Sequence, residues 1–195
     1  MTPRKPAPAS AKKSSTKAHI FKRTLAWKGK VFSVYSEDVK EPNGIRSVRD
    51  VIRHNGSVVI LAVDESKNPK DPLILIERQY RHAAGQYLFE LPAGRIDEGE
   101  TALAAGRREL IEETGYRARR WSKLVRYYAS PGFLGESMQI FLAQGIYPGI
   151  AEPEADESIE VIMMPLSKVL ALIDQGKILD GKTLIGVQYF ARHRR

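Results

Sequence analysis

The chain contains no cysteine. That absence excludes a disulfide framework, a thiolate metal site and a cysteine nucleophile, while leaving the compartment open. Long apolar runs are missing as well, since none approaches the ~18 residues a membrane-spanning helix needs. Residues 1–18, MTPRKPAPASAKKSSTKA, have no acid and, past Met1, no large apolar side chain. They lack the apolar core of a secretory signal, and their three prolines disfavour the amphipathic helix of a transit peptide. A segment of this composition cannot repay the entropy of ordering, so the expectation is a flexible basic tail on a cytoplasmic protein. The tail also explains most of the charge. Of the net +8, five come from Arg4, Lys5, Lys12, Lys13 and Lys17, leaving 8 − 5 = +3, and Arg192, Arg194 and Arg195 account for that remainder. The middle of the chain is close to neutral overall, which argues against nucleic acid as a partner.

What is present is a core-forming composition, 43% hydrophobic over 195 residues, enough for one substantial core. Within it lies an unusual stretch, Gly94 to Tyr116, reading GRIDEGETALAAGRRELIEETGY. Glu109, Glu112 and Glu113 stand at i, i+3 and i+4, so a helix here crowds three carboxylates on one face. Such crowding costs a few tenths of a kcal/mol per pair unless a cation intervenes, and hard oxygen ligands suit Mg²⁺ or Mn²⁺. The helix is expected from about Thr101 to Thr114, with Leu103, Ala104, Leu110 and Ile111 facing the core, the carboxylates opposite, and Gly115 as its left-handed stop.

The flanking segments read as strands and helices. Residues 19–53 alternate apolar and polar side chains, with Val31 to Val39 and Ser47 to His54 joined by the turn Pro42-Asn43-Gly44, a hairpin-like β element. Ser57 to Val63 and Pro72 to Tyr80 are near-continuous apolar runs that fit strands buried on both faces, separated by a polar loop. Tyr87, Leu88 and Phe89 lead a third run into Glu90-Leu91-Pro92-Ala93-Gly94. Further strands are expected at Trp121 to Ala129, Met138 to Ala143 and Ser158 to Met164, and helices from Pro165 to Gly176 and from Asp180 to His193. Helices inserted within and after the strands predict a mixed α/β sheet covered on both sides. The acidic stretch Glu152 to Glu157 reads as a solvated connection, the aromatics Trp27, Phe32 and Tyr35 either as core, the commoner meaning of aromatics in alternating strands, or as stacking partners for a planar base, and His54 and His82 as isolated histidines without a role.

The spacing Gly94-x5-Glu100-x7-Arg108-Glu109-Leu110-x-Glu112-Glu113-x-Gly115-Tyr116 resembles the signature of the Nudix hydrolases at every position. The loop Ser130 to Glu136, which places Pro131 sixteen residues after Gly115, is similar to that of the ADP-ribose pyrophosphatase subfamily, as are Glu90 to Gly94 and Arg78-Gln79-Tyr80-Arg81. The resemblance covers most of residues 20–190. It implies the α/β/α sandwich with a mixed sheet, so that after the basic tail over 1–18 an N-terminal antiparallel β extension over 19–53 and a hydrolase domain over 54–195 are expected. It implies metal ligation by Glu109, Glu113 and the Ala93 carbonyl, with Glu112 serving a further metal or its waters. Glu100 and Arg108 act behind the ligands as an orienting ion pair. Glu136 is the candidate general base on a mobile loop, with Glu112 the second catalytic candidate; Arg81 is the candidate for the diphosphate, with Glu90 and Gly132 as further substrate-binding candidates. Glu90 either stands beside the metals or anchors its loop. The implied reaction is Mg²⁺-dependent, with Mn²⁺ as a substitute, and cuts ADP-ribose to AMP and ribose 5-phosphate. Alternatives are another nucleoside diphosphate sugar such as GDP-mannose, or a nucleic-acid-associated protein. A homodimer formed through the β extension is the expected assembly, with no membrane partner.

Overall fold

The computed structural model describes residues 16–30, 32–150 and 158–194. The expected basic tail up to Ser15 and the acidic connection Glu152 to Glu157 lie outside the described residues. The chain divides into two compact units, one ending at Arg53 and the other starting at His54.

The first unit is an antiparallel sheet of β1 (His19–Lys28), β2 (Ser33–Lys40) and β3 (Arg46–Ile52) in that order. Asn43 shapes the β2–β3 turn by accepting the Ile45 amide on its side-chain oxygen at 3.0 Å, and Gly44 takes φ 90° there. A three-stranded sheet has no second layer to bury its aromatics. Trp27 and Phe32 are accordingly 53% and 44% exposed, so the expectation that they form core is corrected.

The second unit holds a seven-stranded mixed sheet. Its main path is β10 (Ile159–Pro165), β5 (Leu73–Arg81), β4 (Ser57–Asp64), β9 (Ser137–Pro148), β8 (Tyr116–Tyr128), with β6 (Gln86–Glu90) beside β5 and β7 (Ala93–Arg95) beside β4. Only β4 and β9 run parallel. The apolar run of β4 follows from cover on both faces. Ile60 and Ala62 pack with Leu75, Leu110 and Ala143, and Val58 with Ala105 and Phe141, on the side of α1 (Ala102–Thr114). Val59, Leu61 and Val63 pack with Ile74, Ile76, Leu91, Val169 and Val187 on the side of α2 (Leu166–Asp174) and α3 (Gly181–His193). Each of the valines, leucines, isoleucines and the phenylalanine among them contributes about 1.5–3 kcal/mol on burial. Among the described residues no helix is long and apolar enough to cross a membrane.

The feature that makes room for a site is a split in this sheet. β4 and β5 pair only at Val63–Ile74 and Asp64–Leu73, then diverge, β5 continuing against β6 and β4 against β7. The turn joining β6 to β7 sits in the gap, tied by the Ile60 amide donating to the Pro92 carbonyl at 2.8 Å. β7 escapes a reading by propensity, because Ala-Gly-Arg has none for strand and pairs only through this tertiary setting.

Helix α1 starts on Thr101, whose hydroxyl accepts the Ala104 amide at 3.2 Å, and stops at Gly115 with φ 73°. Its core face differs from expectation. Ala105, Gly106 and Leu110 face inward and Ala104 is exposed, while Glu113 is 7% exposed and so not opposite the packing face. Three residues advance a helix by 300°, so Glu113 lies only about 60° from Leu110. β8 and β9 also extend beyond the expected strands. Their added residues include Arg117, Arg119 and Arg120 on an edge strand, where charge protects the free edge and blurs alternation.

Candidate active site

The open end of the split sheet and the polar face of α1 enclose a cleft of about 290 Å³. Its lining brings together Arg81 from β5, Ala93, Gly94 and Arg95 from β7, Asp97, and Arg108, Glu109, Glu112 and Glu113 from α1. Gly94 leaves room for the Glu109 carboxylate, which comes within 1.9 Å of where a Cβ would stand. Glu113 reaches the same turn, accepting the Ala93 amide on Oε2 at 3.0 Å.

Arg108 holds the acidic face together. Its guanidinium donates to Glu100 at 3.3 and 3.1 Å, to Glu109 at 2.8 Å, to Glu112 at 2.9 Å and to the Arg95 carbonyl at 3.1 Å. The hydrogen bond from Arg108 holds the Glu100 carboxyl below its ordinary range. Among the described residues no three carboxylates or imidazoles stand in a ready metal cluster, because Arg108 occupies the space between Glu109 and Glu112. The donor set still fits a hard divalent cation. Glu109, Glu112 and Glu113 border one cleft with the Ala93–Gly94 backbone against two of them, and every donor is oxygen.

Arg81 enters the cleft from the other wall. Its Nε and Nη2 each donate at 2.8 Å to the two oxygens of Glu90, a bidentate fork. Glu90 itself is 2% exposed, does not line the cleft and holds Arg81. Burial pushes the Glu90 carboxyl up, but Arg81 and Lys182 outweigh it and leave the group below its usual value. Lys182, 9% exposed, was not singled out in the sequence. It pairs with Glu90 and lies 3.1 Å from Asp180 Oδ1. Asp180 Oδ2 accepts the Thr183 amide at 3.0 Å and its hydroxyl at 2.6 Å, and Thr183 Oγ1 accepts the Leu91 amide at 2.8 Å. A lysine in a helical stretch gives no hint of such a role by composition. The one available signal was Asp180-x-x-Thr183, a helix N-cap pattern next to it.

Glu136 and Gly132 lie outside this lining. Glu136 precedes β9, where Ser57 Oγ donates to its Oε1 at 2.6 Å. His54, read as isolated, is beside it, Nε2 standing 3.9 Å from the same oxygen. The Gly56 amide donates to His54 Nδ1 at 3.0 Å, which leaves Nε2 to carry the proton of the neutral ring. Burial, with the charges of Asp180 and Glu136, pushes the Tyr127 phenol well above its usual range. Gly132 is exposed, with open space where a Cβ would stand.

A cleft with acidic and cationic walls on this fold defines a class. Residues 53–184, more than half of the chain, match the NUDIX domain, and the chain belongs to that family. It is 38% identical over 164 residues to an ADP-ribose pyrophosphatase of Bacillus subtilis, covering 83% of this chain and 85% of that protein. A GDP-mannose pyrophosphatase of Citrobacter koseri is 38% identical over 167 residues, 78% of this chain and 83% of that one. The crystal structure of an ADP compounds hydrolase superposes with a TM-score of 0.76 at 24% identity, spanning 93% and 96% of the two chains, a likeness of fold. Nudix pyrophosphatases as a class depend on a divalent metal.

Proposed function

We propose that this protein hydrolyses the diphosphate of ADP-ribose, giving AMP and ribose 5-phosphate, with Mg²⁺ as the working metal and Mn²⁺ as a substitute. The observation that carries the reading is the meeting of the α1 glutamates, the Ala93–Gly94 turn and Arg81 in one cleft. In this reading Glu109, Glu113 and the Ala93 carbonyl hold metal, and Glu112 serves a further metal or its waters. The metal supplies charge neutralisation at phosphoryl oxygens and a lowered pKa for bound water. Arg108, joined to Glu100, keeps the glutamates oriented and mutually neutralised. Arg81 binds the diphosphate with the donors Glu90 leaves free. As water adds to phosphorus and the bridging P–O bond breaks, the water's proton passes to Glu136. For that step Glu136 leaves Ser57, carried by the loop that contains Gly132.

The reading includes a cytoplasmic homodimer. Pairing through the N-terminal sheet is supported by its exposed large apolar side chains Phe21, Leu25, Trp27 and Val48. A second substrate, GDP-mannose, is favoured by the 38% identity to a pyrophosphatase of that sugar, because the diphosphate machinery is common to both. Turnover of the purified chain against a panel of nucleoside diphosphate sugars, with Mg²⁺ and with Mn²⁺, tests the assignment. ADP-ribose should give the highest kcat/KM. Preference for GDP-mannose establishes the second reading, and turnover of none overturns both.

A further inference from the structure

Lys182 occupies a place where a lysine is unfavourable on two counts. It is 9% exposed, and it stands two residues after the N-cap Asp180 in the first turn of α3, where the helix dipole opposes positive charge. A buried ammonium in that position persists only if its neighbours compensate it. Glu90 and Asp180 do so. The contacts close into a ring: Glu90 to Lys182, Lys182 to Asp180, Asp180 to Thr183, and Thr183 back to the amide of Leu91, the residue after Glu90. Thr183 is wholly buried and Glu90 is 2% exposed, so the ring is a fixed part of the interior. Glu90 has one further partner outside the ring, the guanidinium of Arg81.

Arg81 is 41% exposed on its side chain and lies at the cleft, where the charges of Glu113 and Asp180 also act on it, but the hydrogen bonds that fix its guanidinium go to Glu90. A carboxylate able to swing would hold Arg81 poorly. We propose that Lys182 is a positioning residue for substrate binding: by fixing the Glu90 carboxylate within the ring, it sets the orientation in which Arg81 presents its free donors to a diphosphate. The ring also ties the end of β6 to α3 immediately before Pro92-Ala93-Gly94, so α3 supports the strand end from which the cleft turn departs. This inference rests on the assignment of Arg81 to the diphosphate.

The test is a double-mutant cycle on KM and kcat for ADP-ribose with the full chain. Arg81→Ala is measured first. A KM rise of about 30-fold or more upholds the assignment of Arg81, and an unchanged KM defeats that assignment and the present inference with it. Lys182→Met, which keeps most of the volume without the charge, should raise KM about tenfold and change kcat less than threefold. Lys182→Arg should recover most of the loss. In the Arg81→Ala background, Lys182→Met should add less than about twofold, because its effect is routed through a guanidinium no longer present. If the two effects multiply, or if Lys182→Met lowers only the melting temperature with KM unchanged, Lys182 is structural and the inference fails while the Arg81 assignment stands. Should Lys182→Met not fold, Lys182→Gln takes its place in the cycle, and its KM rise should likewise shrink to less than about twofold beside Arg81→Ala. A rise that persists undiminished there, or no rise at all in Lys182→Gln, overturns the proposal.

Discussion

Two glutamates in different units, Glu37 in β2 and Glu90 in β6, are each 2% exposed and each bonded to two cations. Glu37 holds Arg23 at 2.7 Å and also Arg53, and Glu90 holds Arg81 at 2.8 Å and also Lys182. Both carboxyls lie below their ordinary range, Glu37 chiefly through its bond to Arg53, Glu90 through Arg81 and Lys182 working against burial. The surroundings of the cations differ. Arg23 and Arg53 are 46% and 47% exposed on a three-stranded sheet, whereas Lys182 is interior and Arg81 borders a cleft with three glutamates of α1. A buried, doubly paired carboxylate is therefore no mark of function by itself. What separates the two is whether one of the paired charges faces a cavity that also holds reactive groups.

The predictions sharpen that contrast. The largest effect belongs to groups reserved for the chemical step. Glu136→Gln should depress kcat by about 10²-fold to 10⁴-fold with little change in KM, since a general base acts in the transition state. A loss confined to KM would move the base elsewhere. Glu113→Gln should lower kcat at least about 10²-fold at limiting Mg²⁺. Glutamine keeps an oxygen that can accept the Ala93 amide, so the same variant should remain folded. Near-normal turnover in that variant removes Glu113 from the metal site.

Next come the matched glutamates. Glu90→Gln strands two cations, one of them interior, and should cost about 3 kcal/mol in urea unfolding while raising KM several-fold. Glu37→Gln, whose arginines remain half in water, should cost about 1 kcal/mol and leave KM within twofold. Equal KM effects would erase the distinction. The pH dependence carries the same signature. The folded Glu90 carboxyl lies below its ordinary 4.5, so the native state binds that proton less readily than the unfolded chain. Its stabilisation is complete above about pH 4.5 and is lost as pH falls through the folded value. The melting temperature of Glu90→Gln should consequently fall less steeply than that of the parent chain between pH 5 and the acid limit. The smallest effect is expected from deleting residues 1–18. The five charges removed are screened beyond about 8 Å at physiological salt, and turnover should stay within about twofold. Loss of activity together with loss of the dimer on a sizing column would give the tail a part in assembly.

Much of this was legible along the chain, for reasons that local chemistry explains. The limits of α1 were readable because Thr101 and Gly115 act on their immediate neighbours, and β4 because cover on both faces leaves an unbroken apolar run. Ala93, Arg81, Glu109, Glu112 and Glu113 were named from sequence and line one cleft, while Glu100 is joined to it through Arg108. What escaped depends on contacts between distant residues. β7 exists only because β4 and β5 part, Glu113 is buried by a 60° offset that spacing alone leaves ambiguous, and His54 meets Glu136 across 82 positions. Lys182 was unreadable because its meaning lies in Glu90, 92 residues earlier. Trp27 and Phe32 misled for the opposite reason, as alternation promises a buried face without saying what will cover it.

The central claim is that the α1 glutamates hold the divalent cation. Titrating Mn²⁺ into the protein and following the free ion by electron paramagnetic resonance tests it without reference to turnover. The parent chain should bind at least one Mn²⁺ per subunit, and the double variant Glu109→Gln, Glu113→Gln, still folded by circular dichroism, should lose that binding by about 10²-fold or more. Unchanged Mn²⁺ affinity in the folded double variant would contradict the account.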